Sequence, residues 1–120
     1  MKLRLRHNSV RLRLTQGEVA QLRDSGSVEE RIEFSPDQTL AYRVVSDPDQ
    51  ASIAASFVGG NILLTVPTAT VRQWADSEQV EMQAGGALRI SIEKDFKCLD
   101  AAHPEDDVDT FPNPLAGKVC

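Results

Sequence analysis

The sequence predicts a single, mainly β domain built as a pseudo-twofold barrel of about eight strands with two short helices. The first observation is internal similarity: residues 12–29 overlay residues 64–81 without a gap, and seven of the 18 aligned pairs are identical. Such self-similarity indicates a repeated architecture. The second is a period-two alternation of apolar and polar residues in several short runs, which is typical of half-buried strands. The third is the length of 120 residues, the usual size of one domain.

These observations divide the chain into three segments. We predict two ββαββ repeats, at about 1–47 and 51–93, which together form one duplicated barrel over residues 1–94. The seam between them lies at the Pro/Asp turn that begins at Asp47. The segment 95–120 is acidic, contains proline and shows no periodicity. We predict that it is a tail, either packed on the barrel or extended.

The first repeat begins with a hairpin whose turn is His7-Asn8-Ser9. Thr15 followed by Glu18 forms a capping box, which predicts a short helix that Gly26 ends. Ser35 and the proline after it form the turn of a second hairpin. The four strands of this repeat are predicted at 2–6, 10–14, 28–34 and 39–46.

The second repeat follows the same order. Gly59-Gly60-Asn61 is its first turn, and Pro67 suits the first turn of a helix. Val71 and Trp74 give that helix a buried stripe, with Gly85-Gly86 between the last two strands. The four strands of this repeat are predicted at 52–58, 62–66, 79–83 and 87–93.

The second repeat contains the run GNILLTVP at 60–67, followed by Val71, Trp74 and the strand LRISI at 88–92. It resembles the swapped-hairpin module of AbrB-like transition-state regulators and MazE-type antitoxins. In that module two chains interlock their hairpins into one barrel, so the resemblance implies that this tandem chain forms a pseudo-dimer alone and is a monomer. The first repeat departs from the module with His7 where glycine is usual and Thr15 where proline is usual. The whole chain also resembles an uncharacterised bacterial family with MKLR, RLRL, EKDF and FPNP segments.

A basic first hairpin makes DNA one candidate partner. The module's first hairpin contacts DNA, and the matching positions here are Arg4 and Arg13, with Asn8 in the turn. Residues 1–13 contain five basic residues and no acid, and phosphate is a suitable counter-charge. The predicted nucleic-acid-binding residues are Arg4, Arg6, Asn8, Arg11 and Arg13.

Two features oppose DNA binding. The net charge is −5, and an acidic body repels a polyanion. The second copy of the hairpin, residues 51–66, holds no charged residue. The alternative interpretation is that Glu29, Glu30 or Glu33 neutralises the arginines within the sheet.

A protein partner is the second candidate. MazE-type antitoxins wrap an acidic C-terminal segment around a toxin, so the resemblance implies a similar role for the tail. Acidic residues steer association and an exposed aromatic ring supplies an anchor. The predicted partner-binding residues are Asp106, Asp107, Asp109 and Phe111.

Catalytic and metal-binding signals are weak. Cys98, His103 and Glu105 are the best candidate metal ligands, but the sequence has no CxxC or HExxH motif and no complete calcium loop. No serine lies in a nucleophile elbow. We predict a non-enzymatic protein without cofactor or metal.

Targeting features are equally sparse. No apolar run approaches the roughly 20 residues that cross a bilayer, and the N-terminus lacks the apolar region of a signal peptide. Cys98 and Cys120 do not form a disulfide framework. We expect a cytoplasmic protein with no membrane contact.

Overall fold

The computed structural model describes residues 1–97, 109–112 and 114, and within them the chain forms eight strands and two helices. The elements in chain order are β1 (Lys2–Arg6), β2 (Ser9–Leu14), α1 (Gln16–Ser25), β3 (Ser27–Ser35), β4 (Gln38–Asp47), β5 (Ala54–Val58), β6 (Asn61–Pro67), α2 (Thr68–Ala75), β7 (Glu81–Ala84) and β8 (Arg89–Lys94). The predicted mainly β class, with eight strands and two short helices, is confirmed. Neither helix is long and apolar enough to cross a membrane.

The eight strands form two four-stranded sheets. Sheet A has the order β1-β2-β8-β7, and sheet B has the order β3-β4-β6-β5. The central pairs, β2 with β8 and β4 with β6, are parallel, and the other pairs are antiparallel. Each sheet therefore joins one hairpin from the first half of the chain to one from the second half. The two sheets are equivalent when the halves of the chain are exchanged: β5 and β6 take the places of β1 and β2, and β4 and β3 take the places of β8 and β7.

The prediction of a barrel is wrong, because the two sheets are not closed onto each other among the described residues. Closure requires edge strands of one sheet to pair with edge strands of the other. On the sheet A side those edges are β7, which has only four residues, and β1, which carries three basic side chains. A short strand and a charged strand are both poor pairing edges.

Register defines which positions of the two halves are equivalent. Leu12 on β2 lies beside Ile92, and Leu64 on β6 lies beside Val44. Val44 in turn pairs with Val28, and Ile92 pairs with Met82. The structural counterpart of Val28 is therefore Met82. The gapless alignment, which matches Val28 with Val80, is thus wrong after the helices.

The physical reason is the way each helix ends. Gly26 adopts a left-handed conformation, with φ of 86°, and leads directly from α1 into β3. In the second half, residues 76–80 separate α2 from β7.

The hydrophobic core lies where the helices meet both sheets. Thr15 and Glu18 form the predicted capping box of α1. Trp74 on α2 is fully buried, and its Nε1 donates a hydrogen bond to the Val80 carbonyl at 3.1 Å. Other fully buried core residues are Leu12, Leu14, Leu22, Val44, Leu64, Val66 and Ile92. On β2, β4, β6 and β8 the apolar face is thus covered by the core. The residues that alternate with the buried positions point outward.

Candidate anion-binding face

The candidate site is the outer face of sheet A, which we define by the outward-pointing residues of its four strands. Strand alternation places these residues opposite the core positions Val10, Leu12, Ile90 and Ile92. They are Lys2, Arg4 and Arg6 on β1, Ser9, Arg11 and Arg13 on β2, Arg89, Ser91 and Glu93 on β8, and Glu81 and Gln83 on β7. Basic residues outnumber acidic ones, so the face has a positive bias.

At the centre of this face, Glu93 holds two of the arginines. Its Oε2 accepts a hydrogen bond from Arg11 Nε and its Oε1 accepts one from Arg13 Nε, both at 3.2 Å. The Ser91 hydroxyl lies 3.0 Å from Glu93 Oε2 and 2.8 Å from Glu81 Oε2. Glu93 is only 1% exposed and Arg11 only 9%. These groups form a buried charged network in which each ion satisfies its neighbours.

The acids expected to neutralise the basic hairpin were wrongly assigned. Glu29, Glu30 and Glu33 lie on β3, in sheet B. Glu93 instead pairs with Arg11 and Arg13, and Asp95 Oδ2 lies 3.1 Å from Lys2 Nζ. The reason is topological: β2 pairs with β8, so a hairpin from the first half meets acids from the second half.

Glu30 has a different basic partner. Its Oε1 accepts a hydrogen bond from the amino group of Met1 at 2.9 Å, and Glu18 Oε2 accepts a second at 2.6 Å. Burial disfavours the charged amino group, but these two hydrogen bonds outweigh burial and raise its pKa above the ordinary value. The pKa of Glu18 is correspondingly lowered: burial opposes this, and the hydrogen bond from the amino group overcomes it.

The two turns at one end of sheet A are joined to each other. The Asn8 side chain donates a hydrogen bond to the Ala87 carbonyl, and the Arg89 amide donates to the Asn8 carbonyl at 3.0 Å. His7 adopts a positive φ of 52°, which is uncommon for a residue other than glycine. The predicted three-residue turn is a two-residue turn, since β2 already begins at Ser9.

These turns border an open cleft of about 1010 Å³. Arg6, His7, Arg11 and Arg89 line it, and the described part of its wall contains no carboxylate. Arg89 and Arg6 flank Ser9 on neighbouring strands. The Arg89 side chain is exposed and makes no hydrogen bond or ion pair with the residues that the structure describes. The cleft therefore offers guanidinium groups from both halves of the chain to an anionic ligand.

The structure separates the five predicted nucleic-acid-binding residues into two groups. Arg4 and Arg6 are exposed on β1, and each also interacts with a neighbouring group. Arg11 and Arg13 are engaged by Glu93, and the Asn8 side chain is engaged by Ala87. Sequence reasoning missed two residues of the candidate site, Arg89 and Glu93. Pairing the first hairpin with the last one, as the swapped-hairpin resemblance implies, would have placed both beside β2.

The remaining predicted residues belong to the C-terminal segment. Asp109 and Phe111 are described and exposed, with Phe111 at 95%. The other predicted residues, Asp106, Asp107, Cys98, His103 and Glu105, lie outside the described residues. Within the described residues, no group of three histidine, cysteine, aspartate or glutamate side chains is placed to hold a metal ion.

Comparison with known proteins identifies the family of the chain. No curated protein and no solved structure matches the chain significantly. A family profile covers residues 1–115, which is nearly the whole chain. The chain therefore belongs to DUF7009, a family of unknown function.

Proposed function

We propose that this protein is a non-enzymatic binding module that binds DNA through the cleft at the turn end of sheet A. The observation that carries the proposal is the convergence of Arg6, from the first half, and Arg89, from the second half, on one cleft. Exposed guanidinium groups bind phosphate strongly because they offer paired N–H donors.

The buried network around Glu93 reduces the number of arginines that are available to contact DNA. Arg11 is almost fully buried against Glu93, so turning it to a phosphate would break its ion pair with a buried carboxylate. Arg13 is bound to the other oxygen of the same carboxylate. We assign Arg11 and Arg13 to shaping the face, and Arg4, Arg6 and Arg89 to ligand contact.

The topology also supports the proposal. Each sheet combines a hairpin from each half, as expected for a tandem form of the interlocked swapped-hairpin module. In AbrB-like regulators and MazE-type antitoxins the first hairpin contacts DNA. Here β1 and β2 carry the basic side chains, whereas β5 and β6 carry none, so one chain contributes a single basic site.

The test is duplex DNA binding measured as a function of salt. Binding driven by phosphate contacts weakens as salt rises, with a slope of about −0.9 per contact on a log–log plot. We expect Arg6→Gln/Arg89→Gln to weaken binding at low salt and to reduce the slope by about 1.8, the value for two contacts.

The matched control is Arg31→Gln/Arg43→Gln, which removes the same charge from two exposed arginines on the opposite-facing sheet B. We expect this control to bind DNA nearly as well as the unaltered chain. Absence of any salt-dependent binding, or equal weakening by both double variants, would contradict the proposal.

A second candidate function is protein binding through the C-terminal segment, favoured by the exposure of Phe111. An aromatic ring exposed to 95% beside Asp109 has the character of an interface anchor. If this function holds, Phe111→Ala should abolish capture of a defined protein partner and leave DNA binding unchanged. If Phe111→Ala leaves both the capture of a protein partner and DNA binding unchanged, this second candidate is contradicted.

A further inference from the structure

The four edges of the two sheets are protected unequally. β1, β7, β3 and β5 are the edge strands, and each presents unpaired backbone groups that proteins usually guard with charged residues. β1, β3 and β7 all carry charges: KLRLR, SVEERIEFS and EMQA. β5 has the sequence AASFV, with neither a charge nor a proline.

β5 is also exposed along its length. Phe57 is 67% and Val58 is 73% exposed, and Ser56 and Ala54 are exposed as well. The strand pairs with β6 on one side. The only further hydrogen bond of β5 within the described residues is one that the Val58 carbonyl accepts from the Asn61 side chain at 3.2 Å, which stays within the same hairpin. An exposed, uncharged edge strand with a large aromatic residue is a template for pairing with another strand.

We propose that β5 pairs in antiparallel fashion with β5 of a second copy of this chain, so that two copies of sheet B form one continuous sheet. The pairing is centred on Ser56. It places Ala55 of each copy opposite Phe57 of the other.

The hairpin turn determines which backbone groups are available. Gly59 and Gly60 form a two-residue turn, both with positive φ, and Val58 lies opposite Asn61. Residues that flank such a turn exchange both of their backbone hydrogen bonds. Alternation then directs the N–H and C=O groups of Ala55 and Phe57 away from β6.

The register centred on Ser56 uses these groups fully. Ala55 faces Phe57 of the second copy twice, once on each side of the twofold axis, and each such pair exchanges two hydrogen bonds. Ser56 faces Ser56 in the intervening non-hydrogen-bonded pair, where side chains approach most closely. The interface is isologous, which is the commonest arrangement of soluble homodimers.

Charge favours self-pairing of β5 over self-pairing of β1 or β3. A twofold pairing of β1 about Arg4 would place Arg4 opposite itself and Lys2 opposite Arg6. A twofold pairing of β3 about Arg31 would place arginine opposite arginine. Like charges directly opposite each other are destabilising, whereas the self-pairing of β5 brings no charges together.

The interface is small. One five-residue strand per copy buries less than the ~800 Å² per partner that is typical of stable complexes. We therefore expect a reversible dimer that accumulates with protein concentration. The monomer expected from the sequence is then the dilute form, because the tandem repeat satisfies the internal pairing and leaves β5 available.

The test is sedimentation velocity across a wide concentration range, with variants at two equivalent positions. Phe57 lies opposite Ile62, and Leu5 lies opposite Val10 in the same place on sheet A; their exposures, 67% and 60%, are similar. We expect Phe57→Lys to raise the dimer dissociation constant by about tenfold or more, equivalent to at least 1.4 kcal/mol. Leu5→Lys should leave it unchanged.

Further readouts separate strand pairing from other contacts. Ser56→Lys, at an exposed position with no core contact, should weaken the dimer in the same way, and thermal unfolding checks that each variant folds. The amides of Ala55 and Phe57 should exchange more slowly with solvent as concentration rises. Since the interface is uncharged, high salt should not dissociate it. A chain that stays monomeric, or a dimer weakened equally by Leu5→Lys or dissolved by salt, overturns the proposal.

Discussion

Sheet A and sheet B have the same strand order but different outward-facing residues. At the centre of sheet A, Arg13 lies beside Glu93; the equivalent neighbours in sheet B are Thr65 and Val45. The core-facing positions of both sheets remain aliphatic or aromatic. The same strand pairing and core packing are thus compatible with entirely different outward-facing residues. The difference teaches that the two halves share their core-facing positions and that any difference in their roles lies on the outer faces.

The largest expected effect tests the buried network that sheet B lacks. Glu93→Ala leaves the nearly buried Arg11 without its carboxylate, and an uncompensated buried charge costs about 3–5 kcal/mol. The equivalent change in sheet B, Val45→Ala, removes only aliphatic contact and should cost about 1 kcal/mol. Denaturant-induced unfolding of both variants measures the difference.

A double variant distinguishes loss of charge compensation from loss of packing. Arg11→Met/Glu93→Met removes both ions and keeps apolar volume, so it should be more stable than Glu93→Ala alone. If Glu93→Ala is as mild as Val45→Ala, the network does not stabilise sheet A.

The next effect concerns the turns. The Gly60 carbonyl accepts a hydrogen bond from the Ala41 amide at 2.9 Å, as the Asn8 carbonyl does from Arg89 in sheet A. A Cβ added at Gly60 would lie 2.6 Å from the Thr39 carbonyl oxygen, whereas one at Gly59 would meet nothing closer than 3.8 Å. Both glycines have positive φ. Gly60→Ala should therefore destabilise the protein by about 1–3 kcal/mol more than Gly59→Ala, the usual range for overpacking.

Thermal or denaturant unfolding of the two alanine variants checks this expectation. The comparison isolates steric contact, since both variants pay a similar penalty for the left-handed conformation. Equal destabilisation would show that the close approach to Thr39 is relieved by small backbone shifts.

The sequence predicted the elements well because their signals are local. Period-two alternation identified the strands, and Thr15 with Glu18 marked the start of α1. It did not predict which strands are neighbours in the sheets, because the β2 to β8 pairing joins residues more than 70 positions apart. Both errors at the site, the missed Glu93 and Arg89 and the wrong neutralising acids, follow from that non-local pairing.

The barrel prediction failed for a related reason. Closure depends on whether edge strands meet, and no local pattern in the sequence specifies this. The predicted equivalence of Val28 and Val80 failed because the gapless overlay did not account for the longer connection before β7. Val80 is exposed, and Met82 is buried in the position that Val28 occupies in sheet B.

A smaller effect is expected at the link between the two turns of sheet A. Asn8→Ala removes the hydrogen bond to the Ala87 carbonyl, which has no counterpart at Gly60 of sheet B. One hydrogen bond contributes about 0.5–1.5 kcal/mol, and the site is exposed, so we expect a loss near the lower figure. The Arg89 amide, which donates to Asn8, should exchange faster with solvent. An unchanged exchange rate would show that the side chain does not hold the turns together.

The smallest effect concerns the amino group of Met1, which joins the start of sheet A to Glu18 on α1 and to Glu30 on β3. Burial works against both charged groups, but their mutual hydrogen bond raises the pKa of the amino group above 8.0 and lowers that of Glu18 below 4.5. The pairing therefore stabilises the protein fully between these values. The stabilisation is lost as pH rises through the raised pKa, and also as pH falls through the lowered one.

Thermal unfolding at pH 6.5 and pH 9.5 tests the alkaline side of this prediction. We expect the chain to lose stability over that interval by less than about 1 kcal/mol, the usual contribution of a partly exposed ion pair. Glu18→Gln should reduce the loss, because the amino group then keeps only Glu30. Glu29→Gln is the matched control, since Glu29 is exposed on β3 and has no such partner. If the two variants lose stability equally, the Met1 pairing makes no contribution to stability, and the network around Glu93 remains the main expected energetic difference between sheets A and B.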